Sequence, residues 1–416
     1  KELILKHAIE FIPGRLYLMS TDTIPEQHMN ISYVCPEQHF AYLNFHLDFG
    51  PNNLGQVIRF CHLINNKFAS EAASPSRAIC VYSSKRSDHC VNAAFLLTTY
   101  MMLAFKLEPT TAIAPISHMM NSYVPYRDAG YGPNTYGITI LDCLNGLYKA
   151  LRIGLLDLQN FNLAEYEFYE KVENGDMNFV TNKFLALATP KVDPGVSYNP
   201  NAKYYGSIPV GSASQNKYFP NMRQYVESLI GGSSANTAAA APAETPVSQE
   251  TSRPHTLFSA YRMDDLIRFM QERGVSTIVR LNNRTYPSER FVECYLQHHE
   301  MYFPDGTTPT DTILQQFLHL AETTPGPIAV HCKAGLGRTG SLIACYLIKH
   351  YQFTTSTVIA FMRLIRPGMV VGPQQNWLQS KEREMLAQTP ARPLAAPFSC
   401  LKSSTWDQMD IFQPPV

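Results

Sequence analysis

The sequence predicts an α/β protein of two tandem domains, each a mixed central sheet flanked by helices. A buried strand at Pro327 to Val330 passes through a glycine-rich loop into a helical pattern at Ser341 to Tyr351, where Leu342, Ile343, Tyr346 and Leu347 share one face. The same strand, loop and helix order occurs at Ala78 to Tyr82 and Asn92 to Leu103. Between these two units, the Gly/Ser/Ala/Pro-rich run from Gly231 to Pro254 has little to bury and reads as a linker or insertion. A chain of 416 residues is long enough for two domains of ordinary size. The expected divisions are a first domain over 1–190, the linker or insertion over 191–255, a second domain over 256–388 and a tail over 389–416.

In chain order, Gly14 to Leu18 reads as an early strand, and Asn53 to Asn66 as an amphipathic helix through Leu54, Val57, Ile58 and Cys61. Phe184 to Leu187 is strand-like and fits either domain. Leu257 to Arg273 reads as a helix, Thr277 to Leu281 as a strand and Thr308 to Glu322 as a helix. For that last helix the expected start is Thr308 as cap, Pro309 at the first helical position and Asp311 as the reciprocal cap. Helices over Thr355 to Arg366, stopped by Pro367-Gly368, and from Gly372 to about Ala387 complete the second domain.

Composition excludes several classes. The 34 basic and 34 acidic side chains cancel, so no nucleic-acid partner is expected. Nine cysteines without a Cys-x-x-Cys pair argue against a zinc site or a disulfide framework and fit a reducing, intracellular compartment. No apolar run of about 18 residues is present, so no membrane span is expected.

The chemistry sits between the second strand and helix, in Val330-His-Cys-Lys-Ala-Gly-Leu-Gly-Arg-Thr-Gly340. Glycines let the backbone fold tightly, so the amides of Lys333, Ala334, Gly335, Leu336 and Gly337 can point at one anion, with the helix N-terminus behind them. Cys332 opens the loop as a thiolate nucleophile, and Arg338 closes it with a guanidinium that forks onto two phosphate oxygens. These parts make a cysteine-dependent phosphate-ester hydrolase that requires no metal and no cofactor. Gly335-x-Gly337-x-x-Gly340 also spells a dinucleotide fingerprint, but no Asp or Glu lies between Thr323 and Lys381 to hold a ribose. A nucleotide P-loop fails because Gly-Lys-Ser/Thr is absent.

His-Cys-x5-Arg-Thr-Gly resembles the motif of protein tyrosine and dual-specificity phosphatases. The longer string from His331 to Gly340, with Arg366-Pro-Gly-Met-Val-Val-Gly-Pro-Gln-Gln375 behind it, resembles the Cdc-fourteen (cell division cycle) phosphatases over most of residues 1–385. That family carries a tandem pair in which only the second half is active. Laying Val81 on Val330 puts Ser83 at the nucleophile and His89 at the arginine, so the first domain reads as phosphatase-like without the chemistry.

A leaving serine, threonine or tyrosine oxygen needs a proton from a movable loop outside the cradle. Asp305, in Phe303-Pro-Asp-Gly-Thr-Thr-Pro309, meets that need and matches the place of the family's general acid. Asp311 is the local competitor, set aside as a helix cap. His331 is expected to orient the loop and help keep Cys332 ionised, or else to be an ordinary buried histidine. The Thr339 hydroxyl can stabilise the departing thiolate, or serve as a first-turn cap. Gln374 and Gln375 resemble the family's water-orienting glutamines, with either one open as the residue that acts. The family also holds basic residues of the substrate in an acidic groove, and Glu167, Glu170 and Asp128 match those positions. Glu167 and Glu170 are three apart and share a helix face.

The resemblance therefore implies phosphoprotein partners, the products of proline-directed cell-cycle kinases. Phosphoserine-proline followed by Lys or Arg would be the preferred site, with Ala334 and Leu336 as the floor for the proline. It also implies residence in nucleus or nucleolus and cytoplasm. A phosphotyrosine or phosphoinositide phosphatase, and a phosphoprotein-binding module without turnover, are the other readings.

Overall fold

A computed structural model describes residues 5–70, 77–192 and 257–388. Most of the expected linker, beyond Val192, and the tail from 389 lie outside the described residues. The first sheet is built from β1 (Ile9–Ile12), β2 (Leu16–Ser20), β3 (Ile31–Val34) and β4 (Ala78–Ser83), in the order β1-β2-β4-β3. Only the β1–β2 pair is antiparallel. The second sheet orders β5 (Met177–Thr181), β6 (Phe184–Leu187), β7 (Thr277–Arg280), β8 (Gln297–Glu300) and β9 (Ile328–His331) as β5-β6-β9-β7-β8. Here the β5–β6 pair alone is antiparallel. Apart from the extra edge strand β8, the two sheets share one topology: a hairpin, then parallel strands, with the loop-bearing strand third in order. This is the tandem α/β duplication that the repeated strand, loop and helix predicted.

The division expected at residue 190 is corrected by β5 and β6. Both lie before 190 yet pair into the second sheet, β6 running parallel to β9 with Leu187 beside His331. All four residues of β6 are buried, so the hairpin needs two covered faces and finds them only there.

Around the sheets pack α1 (Leu54–Ser70), α2 (Ser87–Ala104), α3 (Ile140–Arg152), α4 (Leu163–Glu170), α5 (Met263–Glu272), α6 (Asp311–Thr323), α7 (Gly337–Tyr351), α8 (Thr355–Ile365) and α9 (Pro373–Ala387). Capping boxes start α3, where Thr139 and Asp142 satisfy each other's amides, and α8, where Thr354 and Thr357 do the same. Helices α2 and α7 start earlier than expected, at Ser87 and Gly337, and the later starts of α6 and α5 have local causes. Helix α6 begins after Thr310, whose hydroxyl accepts from the Ile313 amide at 3.3 Å, so Thr308 is not its cap and Asp311 instead pairs with Lys381 at 2.6 Å. Helix α5 begins at Met263 because the preceding strand-like segment is held elsewhere: the Ala260 amide donates to Asn174 and Arg262 bridges to Lys191.

One hydrophobic core runs through both halves, taking Leu144 and Leu147 from α3 and Val358 and Phe361 from α8. Gly146 sits at this contact, where a Cβ would come within 2.4 Å of the Thr357 carbonyl oxygen and 3.1 Å of the Phe361 nitrogen. No helix among the described residues is long and apolar enough to cross a membrane. Replacing Gly146 by Val should cost about 1–3 kcal/mol through overpacking. Thermal unfolding followed by circular dichroism checks this; a Tm equal to that of the parent would contradict the close approach of the two halves.

Candidate active site

The four residues of β9 are wholly buried between β6 and β7, which fixes the point where the chain leaves the sheet as the loop His331 to Gly337. Every carbonyl of that loop is held by a donor from outside or behind it. Thr189 Oγ1 donates to the Cys332 oxygen at 2.6 Å, and the Thr189 amide to the Lys333 oxygen at 3.1 Å. Arg366 donates from Nη2 to the Ala334 oxygen at 2.8 Å and from Nε to the Gly335 oxygen at 3.2 Å. The Leu336 oxygen accepts from the Gly340 amide at 2.9 Å. A peptide plane whose oxygen is tied outward turns the following N–H inward. Among the described residues, no amide from Lys333 to Leu336 donates to a protein acceptor. The loop is thus a bowl of N–H groups at the N-terminus of α7, suited to a tetrahedral anion. Gly335, at φ +65°, presses against Leu187, whose carbonyl oxygen lies 2.1 Å from where a Cβ would stand, so only glycine fits.

Cys332 sits at the base of the bowl, 3% exposed. Arg338 is equally buried, its Nη1 donating to the carbonyls of Phe303 at 3.0 Å and Leu281 at 3.3 Å. These bonds fix the plane of the guanidinium, and its buried Nε has no protein partner. Asp305, on the exposed turn after Phe303, brings Oδ1 to 3.0 Å from Arg338 Nη2. The expected acid therefore stands at the mouth of the bowl, whereas Asp311 is turned onto Lys381. The Thr339 hydroxyl is also buried without a partner, and α7 has no side-chain cap, so Thr339 is not used as one.

His331 orients the loop but does not charge it. Nδ1 faces the Cys332 carbonyl oxygen at 3.1 Å, which can only accept, so Nδ1 carries the proton. Nε2 then accepts from the Tyr286 hydroxyl at 2.6 Å, and that hydroxyl faces His298 Nε2 at 3.1 Å. Burial pushes the His331 imidazole down to about 3, with Arg280 and Arg338 lowering it further. An imidazole so lowered is neutral at pH 7, which goes against the expectation that it helps keep Cys332 ionised and leaves its bond to the Cys332 carbonyl as its contact with the loop.

The two glutamines separate. Gln374 accepts from the Val371 amide at 3.1 Å and donates to the Thr307 carbonyl at 2.9 Å on the Asp305 turn. It also abuts Gly337, where an added Cβ would meet its Oε1 at 2.6 Å. Gln375 is turned away, its Oε1 accepting from buried Arg363 at 2.8 Å. Gln374 is the one beside the loop.

The acidic residues are less open than expected. Asp128 is 2% exposed and spends Oδ2 on the amides of Gly130 at 2.9 Å and Gly372 at 2.7 Å. It acts on the site by fixing the turn before Gln374, not by facing a groove. Glu167 is ion-paired with Arg59, and Glu165 with Arg273. Glu170 accepts from Asn53 at 2.7 Å, and burial pushes its carboxyl up from the ordinary range although Asn53, Arg366 and Tyr166 favour its charge. In the first half, Ser83 stands where the nucleophile would be, with its Oγ 3.2 Å from Ser20 Oγ. His89 contacts Ser84 at 2.8 Å, so this loop carries neither thiol nor guanidinium at the matching places.

Beyond the expected residues, the structure adds Arg366, Thr189, Tyr286 and Phe45. Phe45, half-exposed, reaches across from the first half to where Gly368 and Leu336 meet. Arg366 was visible as a basic residue near the motif, but nothing in its spacing marks the four acceptors it serves.

Comparison with known proteins points to one family. Residues 10–150 match the model for the N-terminal half of dual specificity protein phosphatases, and residues 257–352 match a polymorphic toxin system DSP-PTPase phosphatase model. Dual specificity protein phosphatase CDC14AB of Danio rerio is 37% identical over 91% of this chain and 53% of its own length. CDC14C of Homo sapiens is 34% identical over 90% of this chain and 71% of its own. Tyrosine-protein phosphatase CDC14 of Saccharomyces cerevisiae is 35% identical over 91% and 59%. The chain thus spans about half the length of the zebrafish relative.

The buried histidines set a pH dependence. His331 and His298, held down to about 3 and about 4, stay neutral in the fold but take up protons near 6.5 once unfolded. The unfolded state then binds more protons below pH 6.5, so their contribution makes stability fall as pH drops from about 6.5 and level off near the folded values. Urea unfolding from about pH 7.5 to about 5 should show that loss, and His298→Gln should flatten it; an unchanged slope would contradict the assignment.

Proposed function

Because the chain belongs to the CDC14 family of dual specificity protein phosphatases, we propose that it hydrolyses phosphoproteins through a cysteinyl-phosphate intermediate. The observation that carries this reading is Arg338: buried, oriented by two carbonyls, with Asp305 3.0 Å from Nη2 and the free amides of the Cys332 loop around it. In the first step the Cys332 sulfur attacks phosphorus as the serine, threonine or tyrosine oxygen leaves with a proton from Asp305. Arg338 and the loop amides hold the charge that accumulates on the equatorial oxygens. The Thr339 hydroxyl donates to the sulfur when it departs in the second step. A water held by Gln374 attacks the cysteinyl-phosphate and loses its proton to Asp305, returning the enzyme and inorganic phosphate.

The preferred substrates are phosphoserine-proline sites followed by a basic residue, the products of proline-directed cell-cycle kinases. Glu170 supports this choice, since burial works against its charge and a Lys or Arg of the substrate would add to the support it has from Arg366. Glu167 reaches a substrate only by giving up Arg59. Leu336 and Ala334, with Phe45 beside Leu336, offer the apolar floor for proline. Action in mitosis, and residence in nucleus or nucleolus and cytoplasm, are parts of this proposal supported by family resemblance alone.

Turnover of a phosphoserine-Pro-x-Lys peptide in the presence of a metal chelator, abolished in Cys332→Ser, is the expected result. Asp305→Asn should lower kcat by about 10²–10⁴ on that peptide. The loss should be smaller on p-nitrophenyl phosphate, whose leaving group needs no proton. Glu170→Gln should weaken kcat/KM only for peptides bearing the basic residue. Faster cleavage of phosphotyrosine peptides or phosphoinositides would contradict the substrate choice, and phosphopeptide binding without turnover would contradict the enzyme.

A further inference from the structure

A cavity of about 530 Å³ opens beside the bowl, its wall shared by Arg338 and Asp305 on one side and by Thr189, Lys191, Asn282 and Lys333 on the other. A second cavity of about 260 Å³ continues past the same Thr189, Lys191 and Lys333. The charge along this path is unbalanced. Arg338 is matched by Asp305, but Lys191 and Lys333 have no carboxylate partner among the described residues. One buried polar atom on the wall is unpaired as well. Asn282 is 8% exposed, and its Oδ1 accepts nothing. Its orientation is fixed: Thr189 Oγ1 spends its hydrogen on the Cys332 carbonyl at 2.6 Å, so at 3.2 Å it must accept from Asn282 Nδ2. The free acceptor therefore belongs to Asn282 Oδ1. It needs a donor, and an extended peptide has one N–H per residue.

Resting on the phosphatase reading above, we propose that this cavity is a second substrate subsite. It takes the peptide segment preceding the phosphorylated residue, with a backbone N–H on Asn282 Oδ1 and an anionic side chain, a carboxylate or a second phosphoryl group, between Lys191 and Lys333. Each residue of extended chain advances about 3.3–3.6 Å, so an anion one to three residues from the scissile phosphate is in range. Neither Glu167 nor Glu170 lines this cavity, so the subsite is separate from the one that favours basic residues. Together the two give the bound peptide a direction: negative before the phosphoserine, positive after it.

The test uses the full chain and matched phosphoserine-Pro-x-Lys peptides. At successive positions before the phosphoserine these carry Gln, Glu or a non-hydrolysable phosphonate analogue of phosphoserine. At low salt, kcat/KM should rise about threefold to tenfold for the anionic peptides at one position, through KM, and the gain should shrink at high salt. In Lys191→Ala the Gln peptide should be cleaved as by the parent while the anionic preference falls, and Lys191→Glu should reverse it. Comparing Glu with the phosphonate tells which anion the subsite prefers. Equal kcat/KM for Gln, Glu and phosphonate peptides, with the Gln peptide still turned over, overturns the subsite alone. A preference that survives both Lys191 variants overturns it too, and no turnover of any peptide overturns both readings.

Discussion

The site depends on where five carbonyl oxygens point. A loop that closes on an anion must turn its N–H groups in, which is stable only if the oxygens on the other side find donors. Thr189 and Arg366 supply most of them, at Cys332, Lys333, Ala334 and Gly335. Arg366 is itself 3% exposed and is held by Asp176 at 2.7 Å and by Asn178 at 2.9 Å. A buried guanidinium with four directed bonds tolerates no loose alternative, because a lost partner leaves a charge in the core at a cost of about 3–5 kcal/mol. The bowl is thereby set by the fold itself, with its N–H groups already turned in.

The fastening residues explain why the two halves form one body. Asp176 and Asn178 belong to the hairpin that precedes the linker, and Thr189 follows its second strand. Asp128 comes from the first half and secures the Gly372 amide, so the turn carrying Gln374 is braced across the divide. The Tyr166 hydroxyl donates to the Ile365 carbonyl at 2.8 Å, just before Arg366. Ser83 stands in the first half where the second has Cys332, yet side chains of the first half hold the shape of the second half's site.

Much of this was legible in the sequence. Periodicity located β9 and α7, the loop spacing named Cys332 and Arg338, and the Pro/Gly-rich turn named Asp305, since each rests on local chain properties. The family resemblance marked Gln374 and Gln375 together; their separation required seeing that Arg363 claims Gln375. What stayed hidden depends on partners far along the chain. Asp128 reads as an open carboxylate until Gly372, 244 residues away, is found against it. The hairpin at β5 and β6 carried no sign of which sheet would bury it, and His331 needed its full surroundings before burial could be seen to leave it neutral.

The central claim is that the outward carbonyl bonds, above all those of Arg366, create the anion site. Tungstate affinity of the Cys332→Ser protein, measured by calorimetry with and without Arg366→Lys, tests it most directly. Lysine keeps the charge but cannot serve the Ala334 and Gly335 oxygens together. The account predicts a saturable single site whose affinity falls at least about tenfold in the double variant while the circular dichroism spectrum is retained. Equal tungstate affinity in the two proteins would contradict it.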